Sequence, residues 1–163
     1  MRGEQPHGPY VLAGWSMGGL VAHAMAHLLA AAGEPVRVIV IDMAARPQLG
    51  DDDEASLRAR FDADILGIFG DVPLDPAELA RLFAVFRAHV TATRAYEPPV
   101  ATWPVMLVKG ADGVLAGAAD PTWGWSEIAP TLSVTTLPGT HYSLLTPPNV
   151  AQLAALIALE IGL

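Results

Sequence analysis

A chain of 163 residues with 9 Lys and Arg against 17 Asp and Glu carries a net charge of −8, a poor match to the phosphate backbone of a nucleic acid. It has no cysteine, which excludes disulfides, thiolate metal sites and a cysteine nucleophile, and fits a reducing compartment. With 52% hydrophobic and 16% charged residues it is one domain by length, able to bury roughly 70% of the surface that its unfolded chain exposes.

The opening segment, MRGEQPHGPY, lacks the apolar core of a signal peptide. The longest apolar helical stretch, near Leu20 to Ala32, is interrupted by His23 and His27 and is too short to span a bilayer. A soluble, cytoplasmic protein with no membrane partner is expected. Four short apolar runs, Tyr10 to Ala13, Val36 to Met43, Val105 to Val108 and Leu132 to Leu137, read as strands of a mainly parallel sheet, buried on both faces. Between the first two, Gly18 to Ala32 reads as a helix closed by Gly33, which completes a right-handed βαβ unit.

Asp51 to Tyr96 has no strand signal. It is acidic at Asp51-Asp52-Asp53-Glu54 and then helical, and Asp75-Pro76-Ala77-Glu78 marks a helix start with Asp75 as N-cap, Pro76 at the first turn and Glu78 reaching back. Residues 51–96 are therefore expected as a helical insertion between two strands, either a lid or a crossover extended by a helix. A last helix, Asn149 to Ile161, is expected to pack back on the sheet.

Strand, Gly14-Trp15-Ser16-Met17-Gly18, then helix is the arrangement that exposes a serine hydroxyl on a sharp turn above a sheet. Ser16 is the candidate nucleophile. Gly14 and Gly18 are expected because side chains there would collide with the neighbouring strand and helix. Met17 N–H, at the positive end of the helix, is a candidate oxyanion donor. A serine needs a base, and His141, in the loop Leu137-Pro138-Gly139-Thr140-His141 after the last strand, lies at the sheet edge where such sites gather. His7 and His89 have no comparable position. For the acid, Asp42 and Asp112 both stand where a strand ends, both give the order Ser, Asp, His, and spacing does not decide between them. His23 and His27 have the i,i+4 spacing of a helical zinc pair, but Ala24 stands where a metalloprotease carries its glutamate and no third ligand is evident, so no metal is expected.

QPHGPYVLAGWSMGGLVAHAMA, the VIVID strand, LARLFAVFRAHVTATRAYEPP, DPTWGW and LPGTHYSLL together resemble the type I thioesterase domains that end nonribosomal peptide synthetases and modular polyketide synthases, over nearly the whole chain, 1–163. The resemblance implies an α/β-hydrolase fold whose residues 51–96 form the lid insertion. It also implies an acid directly after the strand that follows the nucleophile helix, which is Asp42, with Asp112 as the alternative. A carrier protein's phosphopantetheine thioester would deliver an acyl or peptidyl chain to Ser16, and hydrolysis or macrocyclisation would release it, as in antibiotic biosynthesis. His141 would move the proton and Asp42 would hold the imidazole. No metal or organic cofactor is implied, and the expected partners are an acyl or peptidyl carrier protein and a small-molecule acyl chain.

Six of the nine basic residues, Arg46, Arg58, Arg60, Arg81, Arg87 and Arg94, fall between residues 46 and 94, as a docking surface for a carrier protein or as a solvated helical face. Trp123 and Trp125 are expected either to line an acyl channel or to pack under a loop. Members of the resembled family carry several strands and a catalytic loop ahead of the segment that opens here. The chain is thus expected to be the C-terminal part of the fold, with an exposed edge on the nucleophile strand. A second oxyanion donor would be lost with that loop, and activity would be impaired. The alternatives to chain release are a free-standing esterase or editing thioesterase and a fragment that only binds acyl groups.

Overall fold

The computed structural model describes residues 3–49, 53–71, 73–113 and 115–162. It divides into two compact units, Met1–Arg46 with Glu97–Leu163, and Pro47–Tyr96. The first holds four strands, β1 (Tyr10–Trp15), β2 (Val36–Ile41), β3 (Val105–Gly110) and β4 (Leu132–Leu137), all parallel in the order β1-β2-β3-β4. Because the pairing sets Trp15 opposite Ile41, Ile41 opposite Val108 and Gly110 opposite Leu137, the four strands finish along one edge. Whatever follows each strand is gathered there.

Helix α1 (Met17–Ala31) returns the chain from β1 to β2 and packs on both. It ends where Gly33 takes φ 79°, a left-handed conformation that costs glycine little, and lets the Glu34 N–H donate to Leu29 O at 3.0 Å. The strands β2 and β3 are buried on both faces, with Val38, Ile39, Val40, Leu107 and Val108 fully enclosed, as continuous Val and Ile runs require. On one face Ile39, Ile41, Met106, Val108, Leu144 and Leu153 form a core cluster. Leu153 comes from the last helix, α5 (Asn149–Ile161), which packs against β4 and a short 3-10 turn at Ser143–Leu145.

The expectation of two buried faces fails for both edge strands: in β1 Ala13 is exposed and Val11 and Leu12 are half-buried, and β4 departs further. Ser133, Val134 and Thr136 are exposed there, because β4 pairs on one side only in this sheet and carries the alternating Ser and Thr of a half-solvated strand. Trp125, at the start of the one-turn helix α4 (Trp125–Ile128), is fully buried with Ile128.

The second unit consists of α2 (Glu54–Phe69) and α3 (Pro76–Ala95). Asp53 caps α2 by accepting the Ser56 N–H at 2.8 Å, and that bond holds the Asp53 carboxyl below its ordinary range. Asp51 and Asp52, part of the acidic run read in the sequence, lie outside the described residues. Phe61 meets Phe83 and Phe86 with ring centroids 5.2 and 5.7 Å apart, and the Arg58 guanidinium lies 5.4 Å from the Phe61 centroid. At the start of α3, Asp75 and Pro76 take the expected places, but Glu78 does not reach back. Its carboxylate accepts from Arg81, one turn on, at 2.9 Å, since a guanidinium is a stronger partner than a backbone N–H. Arg58 and Arg87 are likewise paired, with Asp62 and Glu54. Among the described residues no helix is long and apolar enough to cross a membrane.

Candidate active site

Ser16 stands in the single-residue step between β1 and α1. Its backbone has φ 55° and ψ −135°, a conformation that L-residues rarely hold and that costs of order 1–3 kcal/mol. Two bonds hold it there: its N–H donates to Ile41 O at 2.8 Å, and its own carbonyl accepts the Gly19 N–H at 2.9 Å. The turn is tight enough that a Cβ on Gly14 would lie 2.0 Å from Gly18 O. The expected crowding at Gly18 is absent, because a Cβ there would meet nothing within 4 Å. It is Gly19 that α1 needs, since a Cβ at that position would sit 2.7 Å from Val40 Cγ1, where the helix rests on β2. Met17 is the first residue of α1, a position whose N–H has no acceptor within the helix.

Asp42, the residue directly after the neighbouring strand β2, also has a positive φ, 54°. Its side chain is 6% exposed and both oxygens are used: Oδ1 accepts the Gly110 N–H at 2.7 Å, and Oδ2 meets His141 Nδ1 at 2.8 Å. A glycine is required at 110, because a Cβ would fall 2.6 Å from Gly139 O and 3.4 Å from Asp42 Oδ1. The loop carrying His141 is built by its own polar side chains. The Thr140 N–H donates to Ser143 Oγ at 2.8 Å, and Asn149 Nδ2 donates to Ser143 O at 3.2 Å. Gly139, at φ 110°, fits beneath Asn149 and Ser143, where any side chain would collide.

Asp112 has a different partner. Its Oδ2 accepts the Gly139 N–H at 3.1 Å while its own N–H donates to Gly139 O at 3.0 Å, so it ties the histidine loop to the end of β3 and is exposed. Of the two acids left open by spacing, Asp42 is the one in contact with the imidazole.

The remaining sequence candidates lie elsewhere. His7 pairs with Glu34 at 3.3 Å, and His89 is exposed on α3. Of the i,i+4 pair, His27 is exposed, whereas His23 is fully buried between Trp103 and Trp125, ring centroids 5.3 and 5.4 Å away. Burial, and secondarily the charge of His27, lower His23 to a pKa of about 4, so it is neutral at pH 7. Trp123 and Trp125 are both buried; the Trp123 indole N–H donates to Leu115 O within the segment after β3, and that of Trp125 donates to Met43 O, tying this segment to the one after β2. The sequence reading passed over Gly110, Ser143 and Asn149. Gly110 is marked by no local motif, because the Asp42 and Gly139 that it meets are brought to it by the fold; Ser143 and Asn149 act locally, on Thr140 and on Ser143, and have the look of ordinary loop and helix-start residues.

The thioesterase domain family model matches residues 1–158. Among curated proteins, the non-reducing polyketide synthase PKS1 of Zymoseptoria tritici is 29% identical over 96% of this chain, which spans 8% of that synthase. Among solved structures, the four-domain nonribosomal peptide synthetase holo-AB3403, bound to AMP and glycine, superposes with TM-score 0.83 at 26% identity, covering 98% of this chain and 15% of that one. The NocB thioesterase domain, solved as a covalent complex with a fluorophosphonate nocardicin G analogue, gives TM-score 0.80 at 27% identity, covering 99% of this chain and 70% of that one. The chain therefore belongs to the thioesterase domain family, is homologous to the thioesterase domains of polyketide and nonribosomal peptide synthases, and has the α/β-hydrolase fold.

Proposed function

We propose that this chain is a serine thioesterase that releases an acyl or peptidyl chain from a carrier protein. The observation that carries the reading is the 2.8 Å contact between His141 Nδ1 and Oδ2 of Asp42, the residue after β2, beside the strand that leads into Ser16. Asp42 fixes the tautomer, leaving Nε2 to take the proton of Ser16. Ser16 Oγ attacks the thioester carbonyl, the Ser16–H proton passes to His141, and the oxyanion faces the Met17 N–H at the head of α1. Collapse breaks the C–S bond, and the imidazolium returns its proton to the departing phosphopantetheine thiol. Water, or a hydroxyl or amine of the chain itself, then opens the acyl-enzyme by the reverse sequence, giving hydrolysis or macrocyclisation. The proposed chemistry calls for no metal or organic cofactor, and residues 51–96 are proposed as a helical lid insertion.

The test is thiol release from an acyl-loaded carrier protein. Asp42→Asn is expected to lower kcat by roughly 10³- to 10⁴-fold, since it strands the histidine in the wrong tautomer. Asp112→Asn, which keeps an oxygen for Gly139 N–H, should stay within about threefold, as exposed substitutions do. Equal losses in the two variants would contradict the assignment. Equal turnover of a simple ester and the carrier-bound thioester would favour a free-standing esterase.

A further inference from the structure

We propose that Trp15 is a positioning residue for His141, acting by locking the base to the strand that carries the nucleophile; the inference rests on the assignment of Ser16 and His141 given above. Trp15 closes β1 and is joined directly to Ser16. Its indole does two separate things to a residue 126 positions away. The Nε1–H donates to the backbone carbonyl of His141 at 2.9 Å, and the ring lies against the imidazole, centroids 4.6 Å apart and tilted by 31°. Tyr142 closes the arrangement edge-on, 5.1 Å from the imidazole and 6.1 Å from the indole.

These contacts matter because they tie His141 directly to β1, the strand that leads into Ser16. The histidine sits on a connection with only a one-turn 3-10 element, and its known polar anchors, Ser143, Asn149 and Asp112, tie that loop to α5 and β3. Asp42 holds Nδ1 from β2. Ser16 is tied in turn to Ile41 O beside Asp42, so the path from base to nucleophile through β2 runs by way of one side-chain contact, and the indole adds a direct second link from the histidine to β1, through a hydrogen bond to the backbone and through a face to the ring. The ring face has a second consequence. An aromatic surface at this distance attracts a cation, so it stabilises the positive charge that develops on the ring as it accepts the proton of Ser16. Both effects act on the chemical step rather than on substrate affinity, and displacements near 1 Å at a reacting centre cost up to about a hundredfold.

The experiment is a double-mutant cycle on the intact chain, read by the rate of phosphonylation of Ser16 with a small uncharged fluorophosphonate, in wild type, Trp15→Leu, His141→Ala and the double variant. Thiol release from a simple thioester supplies kcat and KM separately. Trp15→Leu is expected to slow labelling and kcat by about 30- to 100-fold with KM within twofold. In the His141→Ala background the same change should have no further effect, because Trp15 acts through the histidine. Trp15→Phe, which keeps a ring face and loses the N–H, should recover part of the rate, and it serves in place of the leucine variant should that one fail to fold. Labelling of the folded Trp15 variants at the wild-type rate, or an equal loss with and without His141, would overturn the proposal while leaving the assignment of the base intact. Undiminished labelling of His141→Ala would instead overturn that assignment, and the role of Trp15 with it.

Discussion

Two adjacent glycines in α1 separate what a motif says from what packing needs. Gly18 belongs to the G-x-S-x-G pattern yet has open space at its Cβ position, whereas Gly19, outside the pattern, would press a Cβ against Val40. Gly18→Ala should therefore raise stability by roughly 0.5–1 kcal/mol, the helix-propensity difference between the two residues. Gly19→Ala should lower it, because an overpacked contact of this kind costs about 1–3 kcal/mol. Urea unfolding of the two variants checks the pair, and a Gly18→Ala loss as large as that of Gly19→Ala would contradict the packing account. The same contrast shows how far the site was legible. Ser16 and His141 announce themselves through glycines and strand ends, and their neighbourhood follows from β1 and β4 finishing on one edge. Spacing alone does not separate Asp42 from Asp112, because both follow a strand; the family resemblance favours Asp42, and the difference in the fold is which one the His141 ring reaches across 99 positions.

At the scale of elements, continuous Val and Ile runs and terminal glycines were enough to place α1, α5, β2 and β3. The structure departs from the sequence pattern where neighbours decide the outcome: in the exposure of the edge strands β1 and β4, set by their places in the strand order, and in the side chain of Glu78, captured by Arg81. His23 is a further case. Its place on an apolar helix reads like half a metal pair, but α1 buries it between two indoles. Its folded pKa of about 4 lies below the ordinary 6.5, so protonation favours the unfolded chain. The stability associated with the neutral imidazole is complete above pH 6.5 and is lost as pH falls towards 4, at most roughly 3 kcal/mol by linkage. Urea unfolding at pH 7 and pH 4.5 should show a steeper acid loss in wild type than in His23→Phe. Identical losses would mean that His23 does not titrate in the way its burial requires.

For the molecule as a whole, the charge of −8 and the pairing of Arg58, Arg81 and Arg87 with carboxylates on their own unit favour a solvated helical face over a cationic docking patch. Substrate recognition in this account falls to the acyl chain and its thioester rather than to a field of positive charge. The sheet brings three connections to one edge, the turn after β1, the residue after β2 and the loop after β4, and release chemistry is proposed where they meet. The most direct test is the intact mass of folded protein after treatment with a fluorophosphonate, wild type beside Ser16→Ala. The account predicts one adduct on the wild type, formed as Ser16 oxygen displaces fluoride from phosphorus, and none on the variant. An unmodified wild type, or an adduct of equal yield on both, would contradict the claim that Ser16 is an activated nucleophile.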